Sequence, residues 1–258
     1  MDQDQTDQDN STKLDAFIRI YEAGNPKPYR NYAYQMSRMF RGIDLSGKLI
    51  LDVGCGLGYL SQYLAVTAPT AKIIAMDEAE GDGSSKEVLR ILEENNRTIG
   101  IDNLEIVKAD FNNWEPKERF DLVVAKNAIH HLPWKVPLTR ESDAFIHRNQ
   151  EVHDNFLETF QRLRSFLKPG GHLVFGDVSR MNVYRLMPLS IRKKFRTVNW
   201  RIKPTKGEWL YLMRKTGFTH TGYRCDVPFK LRSLTPVWRP LKAYFFFPDF
   251  YFFGTNPE

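Results

Sequence analysis

The amino-acid sequence predicts an α/β fold built around a mostly parallel β-sheet. Between Lys48 and Ser179, short aliphatic and β-branched runs alternate with longer segments of helical periodicity, which is the pattern of consecutive βα units. The chain has 258 residues, of which 42% are hydrophobic and 26% charged, so it is long enough to bury a substantial core. No apolar run approaches the roughly 20 residues that span a bilayer, and we therefore expect a folded, soluble protein.

The alternating segment divides into strands and helices in regular order. Strands are predicted over 48–54, 71–77, 104–110, 120–126 and 170–178. Helices are predicted over 59–67, 84–99 and 155–167, and in a segment after Ile129. Ser84 and Ser85, followed by Glu87, are typical of a helix N-cap. The Lys-Pro-Gly-Gly run at 168–171 predicts the end of the last helix.

The residues before this segment have a helical pattern of their own. Helical spacing over 13–22 and 32–41, with a turn containing Gly and Pro between them, predicts an N-terminal helical lid over 13–47. The polar, acidic residues 1–12 are predicted to be a disordered lead-in. We expect 13–258 to form a single domain.

Cysteine content and the N-terminal residues disfavour several protein classes. Cys55 and Cys225 cannot form a disulfide framework or a four-ligand zinc site, and no motif indicates another metal, so we expect none. Residues 1–12 lack the basic and apolar regions of a secretory signal peptide. These features favour a cytoplasmic protein.

A glycine-rich loop follows the first predicted strand. Residues 51–58 read Leu-Asp-Val-Gly-Cys-Gly-Leu-Gly, and the glycines allow a tight turn whose backbone N–H groups approach a ligand closely. A dinucleotide-binding loop has its third glycine one position later. Asp52 would repel a pyrophosphate and suits a cationic ligand instead. The loop therefore disfavours a nucleotide-binding oxidoreductase.

This loop and the strand ends after it resemble those of the class I S-adenosylmethionine-dependent methyltransferases, and most closely the small-molecule type. The resemblance covers about residues 48–179, which it identifies as a cofactor-binding core. It implies a Rossmann-like, seven-stranded, mostly parallel sheet with helices on both faces and an antiparallel C-terminal hairpin strand. It also implies S-adenosyl-L-methionine as the cofactor.

The resemblance assigns roles to residues at successive strand ends. Asp77, with Glu78 as a neighbouring substitute, matches the residue that binds the ribose hydroxyls, and Asp110 with Phe111 matches the adenine site. Tyr32 in the lid can present its aromatic face to the sulfonium. The complete set of predicted cofactor-binding residues is Asp52, Gly54, Cys55, Gly56, Gly58, Asp77, Glu78, Asp110, Phe111, Lys126, Asn127, His131 and Tyr32.

Two adjacent histidines, His130 and His131, are the candidate catalytic residues. The segment 126–129 lacks the Asn/Asp-Pro-Pro-aromatic motif of enzymes that methylate adenine bases or glutamine, so that subclass is disfavoured. Either histidine can act as a general base toward a hydroxyl acceptor, whereas a free amine needs no base. The alternative is that they pack beneath the cofactor or cap a helix. The sequence does not separate the two.

The C-terminal third of the chain is strongly basic. Residues 179–258 contain 16 Lys and Arg against 4 Asp and Glu, although the net charge of the whole chain is only +6. Eight basic residues and no acid lie between 185 and 206: Arg185, Arg192, Lys193, Lys194, Arg196, Arg201, Lys203 and Lys206. The segment suits an anionic membrane surface, an acidic substrate or RNA phosphates, or is a solvated face. RNA is disfavoured because no RNA-binding module accompanies it.

Residues 180–258 are expected to form an acceptor-side lid and the last strands. A helix is predicted over 207–216 and strands over 218–225 and 249–254. The basic and apolar connection 231–244 is longer than a hairpin needs and favours a hydrophobic acceptor.

The sequence therefore predicts a cytoplasmic methyltransferase acting on a hydrophobic small molecule or lipid-like acceptor. Whether its basic C-terminal third contacts the inner face of a membrane, binds substrate or faces solvent is left open by the sequence. The alternatives are an RNA or protein methyltransferase that uses the basic third, and a non-catalytic cofactor-binding subunit of a partner enzyme. Nothing in the sequence predicts the oligomeric state.

Overall fold

A seven-stranded β-sheet forms the centre of the structure, a computed structural model that describes residues 3–79, 87–134, 146–181, 200–225 and 249–258. The strands are β1 (Leu49–Val53), β2 (Lys72–Asp77), β3 (Leu104–Lys108), β4 (Phe120–Lys126), β5 (Leu167–Val178), β6 (Thr219–Cys225) and β7 (Asp249–Thr255). Their order across the sheet is β3-β2-β1-β4-β5-β7-β6.

The first five strands are parallel, and β7 runs antiparallel to both of its neighbours, β5 and β6. This confirms the predicted Rossmann-like sheet with an antiparallel C-terminal hairpin. The order of strands reverses between β1 and β4, and ligands of open α/β sheets bind at such a reversal, beyond the carboxyl ends of the strands. The topology therefore places the expected ligand site at the carboxyl ends of β1, β2, β3 and β4.

Helices cover both faces of the sheet, because alternate residues of a strand point to opposite sides. The helices are α1 (Gln3–Gly24), α2 (Tyr29–Met39), α3 (Tyr59–Thr67), α4 (Val88–Ile99), α5 (Gln150–Ser165) and α6 (Lys206–Lys215), and Trp200–Ile202 forms a short 3₁₀ helix. Leu51 of β1 belongs to a core cluster with Phe160 of α5 and Trp209 of α6. Its neighbour Ile50 belongs to a second cluster with Leu64 of α3, on the opposite face.

The N-terminal lid consists of α1 and α2, which pack on α3 through an aromatic cluster. The rings of Tyr21 and Tyr32 lie 4.6 Å apart, and Phe17 is fully buried against both. The prediction of a disordered lead-in differs from the structure, in which α1 already begins at Gln3. No Pro or Gly interrupts this part of α1, and Lys13 pairs with Asp9 one turn earlier at 3.0 Å, which supports the helix.

Other element boundaries also differ from the predicted ones. Helix α5 begins at Gln150 because the side chain of Asn149 caps it by accepting a hydrogen bond from the backbone of Val152. The run 168–171 lies within β5. Residues 129–133 form turns, where the sequence predicts the start of a helix.

Several predicted features lie outside the described residues. They are the capping serines Ser84 and Ser85, the connection 231–244, and five of the eight basic residues between 185 and 206. Over the described ranges, no helix is both long and apolar enough to cross a membrane.

Candidate active site

The glycine loop turns sharply from β1 into α3. Gly54, Gly56 and Gly58 have φ angles of 69°, 53° and 74°, which residues with a Cβ rarely adopt. The backbone N–H groups of Gly54 and Cys55 donate to the carbonyl oxygen of Met76 in β2, at 2.8 and 3.0 Å. The loop is therefore fixed to the end of the neighbouring strand.

Asp77 at the end of β2 is held rigidly by the loops around it. Its Oδ2 accepts a hydrogen bond from the Gly56 N–H at 2.9 Å, and its Oδ1 accepts one from the Ala79 N–H at 2.8 Å. Each carboxylate oxygen keeps further acceptor capacity. Asp77 can therefore accept hydrogen bonds from two neighbouring hydroxyl groups of a ligand without a change of rotamer.

Asp52 lies in β1 and is 1% exposed. Burial raises the pKa of its carboxyl to about 7; the nearby Asp77 adds to the rise, whereas the Ser61 hydroxyl and Lys126 oppose it. The Ser61 Oγ donates to Asp52 Oδ2 at 2.6 Å. Asp52 thus supplies negative charge behind the glycine loop, and this charge increases as the pH rises through neutrality.

The end of β3 leads into a loop that carries Asp110 and Phe111. Asp110 accepts hydrogen bonds from the backbone N–H of Asn112 at 2.9 Å and from the side-chain amide of Asn113 at 2.6 Å. Phe111 is buried, and its ring packs edge-on against Phe166 with centroids 5.7 Å apart. Asp110 is positioned by its own loop, while Phe111 is anchored in the core.

A cavity of about 310 Å³, here called the cofactor cavity, opens where these strands end. The predicted cofactor-binding residues in its wall are Gly54, Cys55, Gly56, Asp77, Glu78, Asp110, Phe111, Lys126, Asn127 and His131. The wall contains further residues that were not predicted from the sequence, among them Met76, Ala109, Asn112, Leu132 and Trp134. They have no motif of their own, although most of them adjoin a predicted strand end.

The remaining predicted cofactor-binding residues lie outside this wall. Asp52 is behind it, and Gly58 and Tyr32 line a second cavity of about 440 Å³ beneath the N-terminal lid, here called the lid cavity. The two cavities share Cys55, Lys126 and Asn127. They are therefore adjacent spaces on either side of one stretch of wall.

Tyr32 and Lys126 contact each other in the wall of the lid cavity. The Lys126 ammonium lies over the Tyr32 ring, 4.8 Å from its centroid. A lysine ammonium therefore lies over one face of the Tyr32 ring. The Tyr32 hydroxyl is buried, and no described residue forms a hydrogen bond with it. Burial raises the pKa of this phenol well above 10, so it remains a neutral hydrogen-bond donor.

The two candidate catalytic histidines have different surroundings. His130 is 3% exposed and does not line the cofactor cavity. Its Nδ1 lies 2.8 Å from Asp177 Oδ2, and its Nε2 lies 2.6 Å from Lys203 Nζ. Both ring nitrogens are thus engaged in the protein interior. His131, whose ring centroid is 4.0 Å from that of His130, lines the cavity.

Asp177 and Lys203 complete a buried charged cluster that the sequence analysis did not identify. Burial by itself would raise the pKa of the Asp177 carboxyl, but His130 and Lys203 outweigh it and lower the pKa to about 2. Asp177 ends β5, and Lys203 stands among the basic residues whose pattern indicates a surface. No local signal reveals that Lys203 is buried beside His130.

The family assignment follows from a comparison with protein-family models. Residues 44–217 match the model described as a methyltransferase domain. The chain belongs to the methyltransferase domain family. This confirms the resemblance to the class I S-adenosylmethionine-dependent methyltransferases at the level of the domain family.

Individual relatives of this chain align with it over limited stretches. Trans-aconitate 2-methyltransferase of Mycobacterium tuberculosis is 37% identical over 84 residues, which are 33% of this chain and 27% of the relative. Malonyl-[acyl-carrier protein] O-methyltransferase of Acetivibrio thermocellus is 30% identical over 115 residues, 42% of this chain and 38% of the relative. The aligned parts thus span well under half of these curated relatives.

Solved structures agree with the methyltransferase fold over most of the chain. Phosphoethanolamine N-methyltransferase 2 of Haemonchus contortus, in complex with S-adenosyl-L-methionine, has a TM-score of 0.59 and 15% sequence identity. The match covers 88% of this chain and 53% of that one. At this level of identity the likeness shows the fold alone.

Proposed function

We propose that this protein transfers the methyl group of S-adenosylmethionine to a hydrophobic or lipid-like small molecule. The observation that carries the proposal is the cofactor cavity, in which the glycine loop, Asp77 and Asp110 meet at the carboxyl ends of neighbouring parallel strands. The chemistry that the cofactor supplies is a methyl group bound to a positively charged sulfur. The protein supplies binding, orientation and exclusion of water.

Each acidic residue in or behind the cavity has a proposed role in holding the cofactor. The fixed carboxylate of Asp77 accepts hydrogen bonds from the ribose hydroxyls, with Glu78 beside it, and Asp110 with Phe111 holds the adenine. The buried charge of Asp52 favours the cationic part of the cofactor. The positive φ angles of the glycine loop let its backbone turn sharply beside the ligand without a Cβ in the way.

The proposal of a small-molecule acceptor has support from the relatives and from the walls of the cavities. The curated relatives above are named as enzymes that methylate trans-aconitate and malonyl-[acyl-carrier protein]. Leu132 and Trp134 line the cofactor cavity, and Tyr21 and Leu60 line the lid cavity. These side chains suit an acceptor with a hydrophobic body.

We propose His131 as the general base for a hydroxyl or acidic acceptor, because it lines the cavity whereas His130 is engaged on both ring nitrogens. General-base catalysis contributes typically about 10²–10⁴-fold. Alignment of donor and acceptor is worth roughly 7–11 kcal/mol in favourable cases, so it is the larger effect. His130 acts through its neighbours by fixing the wall from which His131 projects.

Calorimetric titration tests the cofactor assignment. We expect S-adenosylmethionine and S-adenosylhomocysteine to bind and NADH not to bind. Asp77→Ala removes hydrogen bonds to a charged acceptor, worth about 1.5–3 kcal/mol, and should weaken S-adenosylhomocysteine binding by about 10- to 150-fold. Glu118→Ala, at an exposed position, is the matched control. Failure of both sulfur ligands to bind, or equal affinities of the two variants, would refute the assignment.

Transfer of labelled methyl groups tests catalysis. Wild-type protein, labelled S-adenosylmethionine and fractionated hydrophobic metabolites should yield a labelled product. His131→Ala should lower turnover by about 10²-fold or more, with a much smaller change in S-adenosylhomocysteine affinity. A protein that binds the cofactor but labels no fraction would favour the alternative of a non-catalytic subunit.

A further inference from the structure

The lid cavity is a second binding space whose wall is rich in hydrogen-bond donors. It lies between the N-terminal lid and the start of α3, and its volume is about 440 Å³. The described residues in its wall are Tyr21, Asn25, Pro26, Lys27, Tyr32, Gln35, Cys55, Leu57, Gly58, Tyr59, Leu60, Lys126 and Asn127. Apart from the three that it shares with the cofactor cavity, these residues belong to the lid, to the end of the glycine loop or to the beginning of α3.

The charge of this wall is positive. The described wall residues include two lysines, Lys27 and Lys126, and no Asp or Glu. Asp52 does not line the cavity, and it accepts a hydrogen bond from Ser61. Among the described residues of the wall, a ligand group therefore faces cationic side chains and no carboxylate.

The Tyr32 hydroxyl independently indicates a ligand that carries a hydrogen-bond acceptor. Tyr32 is 5% exposed and lines the cavity, and its hydroxyl has no hydrogen-bond partner among the described residues. A buried hydroxyl without a partner is costly, and a ligand oxygen would satisfy it. The raised pKa of the phenol keeps it protonated, and therefore able to donate a hydrogen bond, across neutral pH.

The rest of the wall is aromatic and aliphatic. Tyr21 and Tyr59 pack edge-on with centroids 5.4 Å apart, and Leu57 and Leu60 adjoin them. Such a wall accommodates a hydrophobic body, whereas the lysines and the phenol accommodate a negatively charged group. The combination matches an amphiphilic anion.

We propose that the lid cavity binds the anionic group, a carboxylate or a phosphate, of the methyl acceptor. The inference rests on the proposed function and narrows its acceptor to a hydrophobic molecule that carries such a group. Lys126 belongs to both cavities, so an anion bound beside it lies next to the cofactor. The cofactor also carries a carboxylate, and the test must therefore distinguish the two sources.

Calorimetry on protein saturated with S-adenosylhomocysteine tests the inference. The probes are octanoate and octyl phosphate, with octanol and octylamine as controls of equal chain length. We expect the anions to bind at least tenfold more tightly than the controls. Tyr32→Phe should weaken anion binding by about tenfold, and exposed Lys27→Met by about threefold. Lys117→Met, at another exposed lysine, should leave anion binding unchanged.

A second series identifies the source of the carboxylate. S-adenosylhomocysteine and 5′-methylthioadenosine, which lacks the amino-acid portion, are titrated into wild-type protein and Lys27→Met. Two results together would show that the cavity holds the cofactor's carboxylate and that the inference is wrong. Octanoate would compete with S-adenosylhomocysteine, and Lys27→Met would weaken the binding of S-adenosylhomocysteine but not that of 5′-methylthioadenosine. Absence of anion binding to the saturated protein also overturns it. Failure of S-adenosylhomocysteine itself to bind refutes the proposed function instead.

Discussion

Replacement of Lys203 by methionine should destabilise the protein far more than replacement of an ordinary lysine. Lys203 is buried, and its Nζ lies 2.6 Å from His130 Nε2 and 3.4 Å from Asp177 Oδ1. Methionine preserves most of the side-chain volume but removes the charge. Asp177, whose side chain has no solvent exposure, then keeps His130 as its remaining partner in this cluster.

The expected loss follows from the cost of a buried charge that loses a partner. Removing one member of a buried ion pair typically costs about 3–5 kcal/mol, because the other member stays desolvated. The hydrogen bond from His130 to Asp177 at 2.8 Å compensates for part of this loss, so we expect about 3 kcal/mol. The double variant Lys203→Met/Asp177→Asn should lose less than the sum of the single variants, since it removes both charges.

Urea unfolding measures these free energies by circular dichroism, with the same slope required for all variants. Lys215→Met, at an exposed position at the end of α6, is the control and should change the free energy of unfolding by less than about 0.5 kcal/mol. If Lys203→Met and Lys215→Met were equally stable, or if the losses of the double variant were additive, the energetic coupling of this cluster would be refuted.

Three further predictions concern the glycine loop, acid stability and the basic segment. A Cβ at Gly58 would overlap Leu92, whereas one at Gly56 would meet open space, so Gly58→Ala should lose about 1–3 kcal/mol more in thermal unfolding than Gly56→Ala. The pKa of Asp177 in the folded protein lies below its ordinary value, so the ionised carboxylate contributes about 2 kcal/mol to the free energy of unfolding above about pH 4. This contribution is lost as the pH falls towards 2. Asp177→Asn should therefore flatten the dependence of the unfolding free energy on pH in this range. Reversing the charges of the basic run 192–194 should abolish binding to anionic vesicles, because each basic residue near such a surface contributes about 1 kcal/mol to binding. Vesicle sedimentation measures this, with neutral vesicles as the control. Unchanged binding would exclude membrane contact through this run.

The elements that carry the cofactor cavity were predictable because their signals are local. Helix α3 and strand β4 begin and end at the predicted residues, since each is a short apolar run bounded by loop residues. Asp77 and Asp110 could be placed together because parallel strands bring their carboxyl ends to one edge of a sheet. Their common location follows from topology once the strands are recognised.

The buried cluster could not be predicted, because its members are far apart in the chain and have no shared pattern. Lys203 stands 73 positions after His130, within a run of basic residues that is typical of a surface. Side-chain direction gives His130 and His131 different surroundings, and adjacent residues of an irregular turn carry no periodicity that predicts direction. The observed start of α5 differs from the predicted one for a related reason, since the capping contact of Asn149 depends on the conformation of the loop before the helix.

The cluster also connects Arg180 to the wall of the cofactor cavity. Arg180 donates from Nε to the carbonyl oxygen of Lys203 at 2.6 Å. The same Lys203 contacts His130, whose backbone carbonyl accepts a hydrogen bond from the Trp134 indole at 2.8 Å. Because Trp134 lines the cofactor cavity, one connected set of hydrogen bonds joins Arg180 and Lys203 to the cavity wall. A substitution at Lys203 should therefore disturb the wall of the cavity as well as the stability of the fold, although Lys203 itself does not line the cavity.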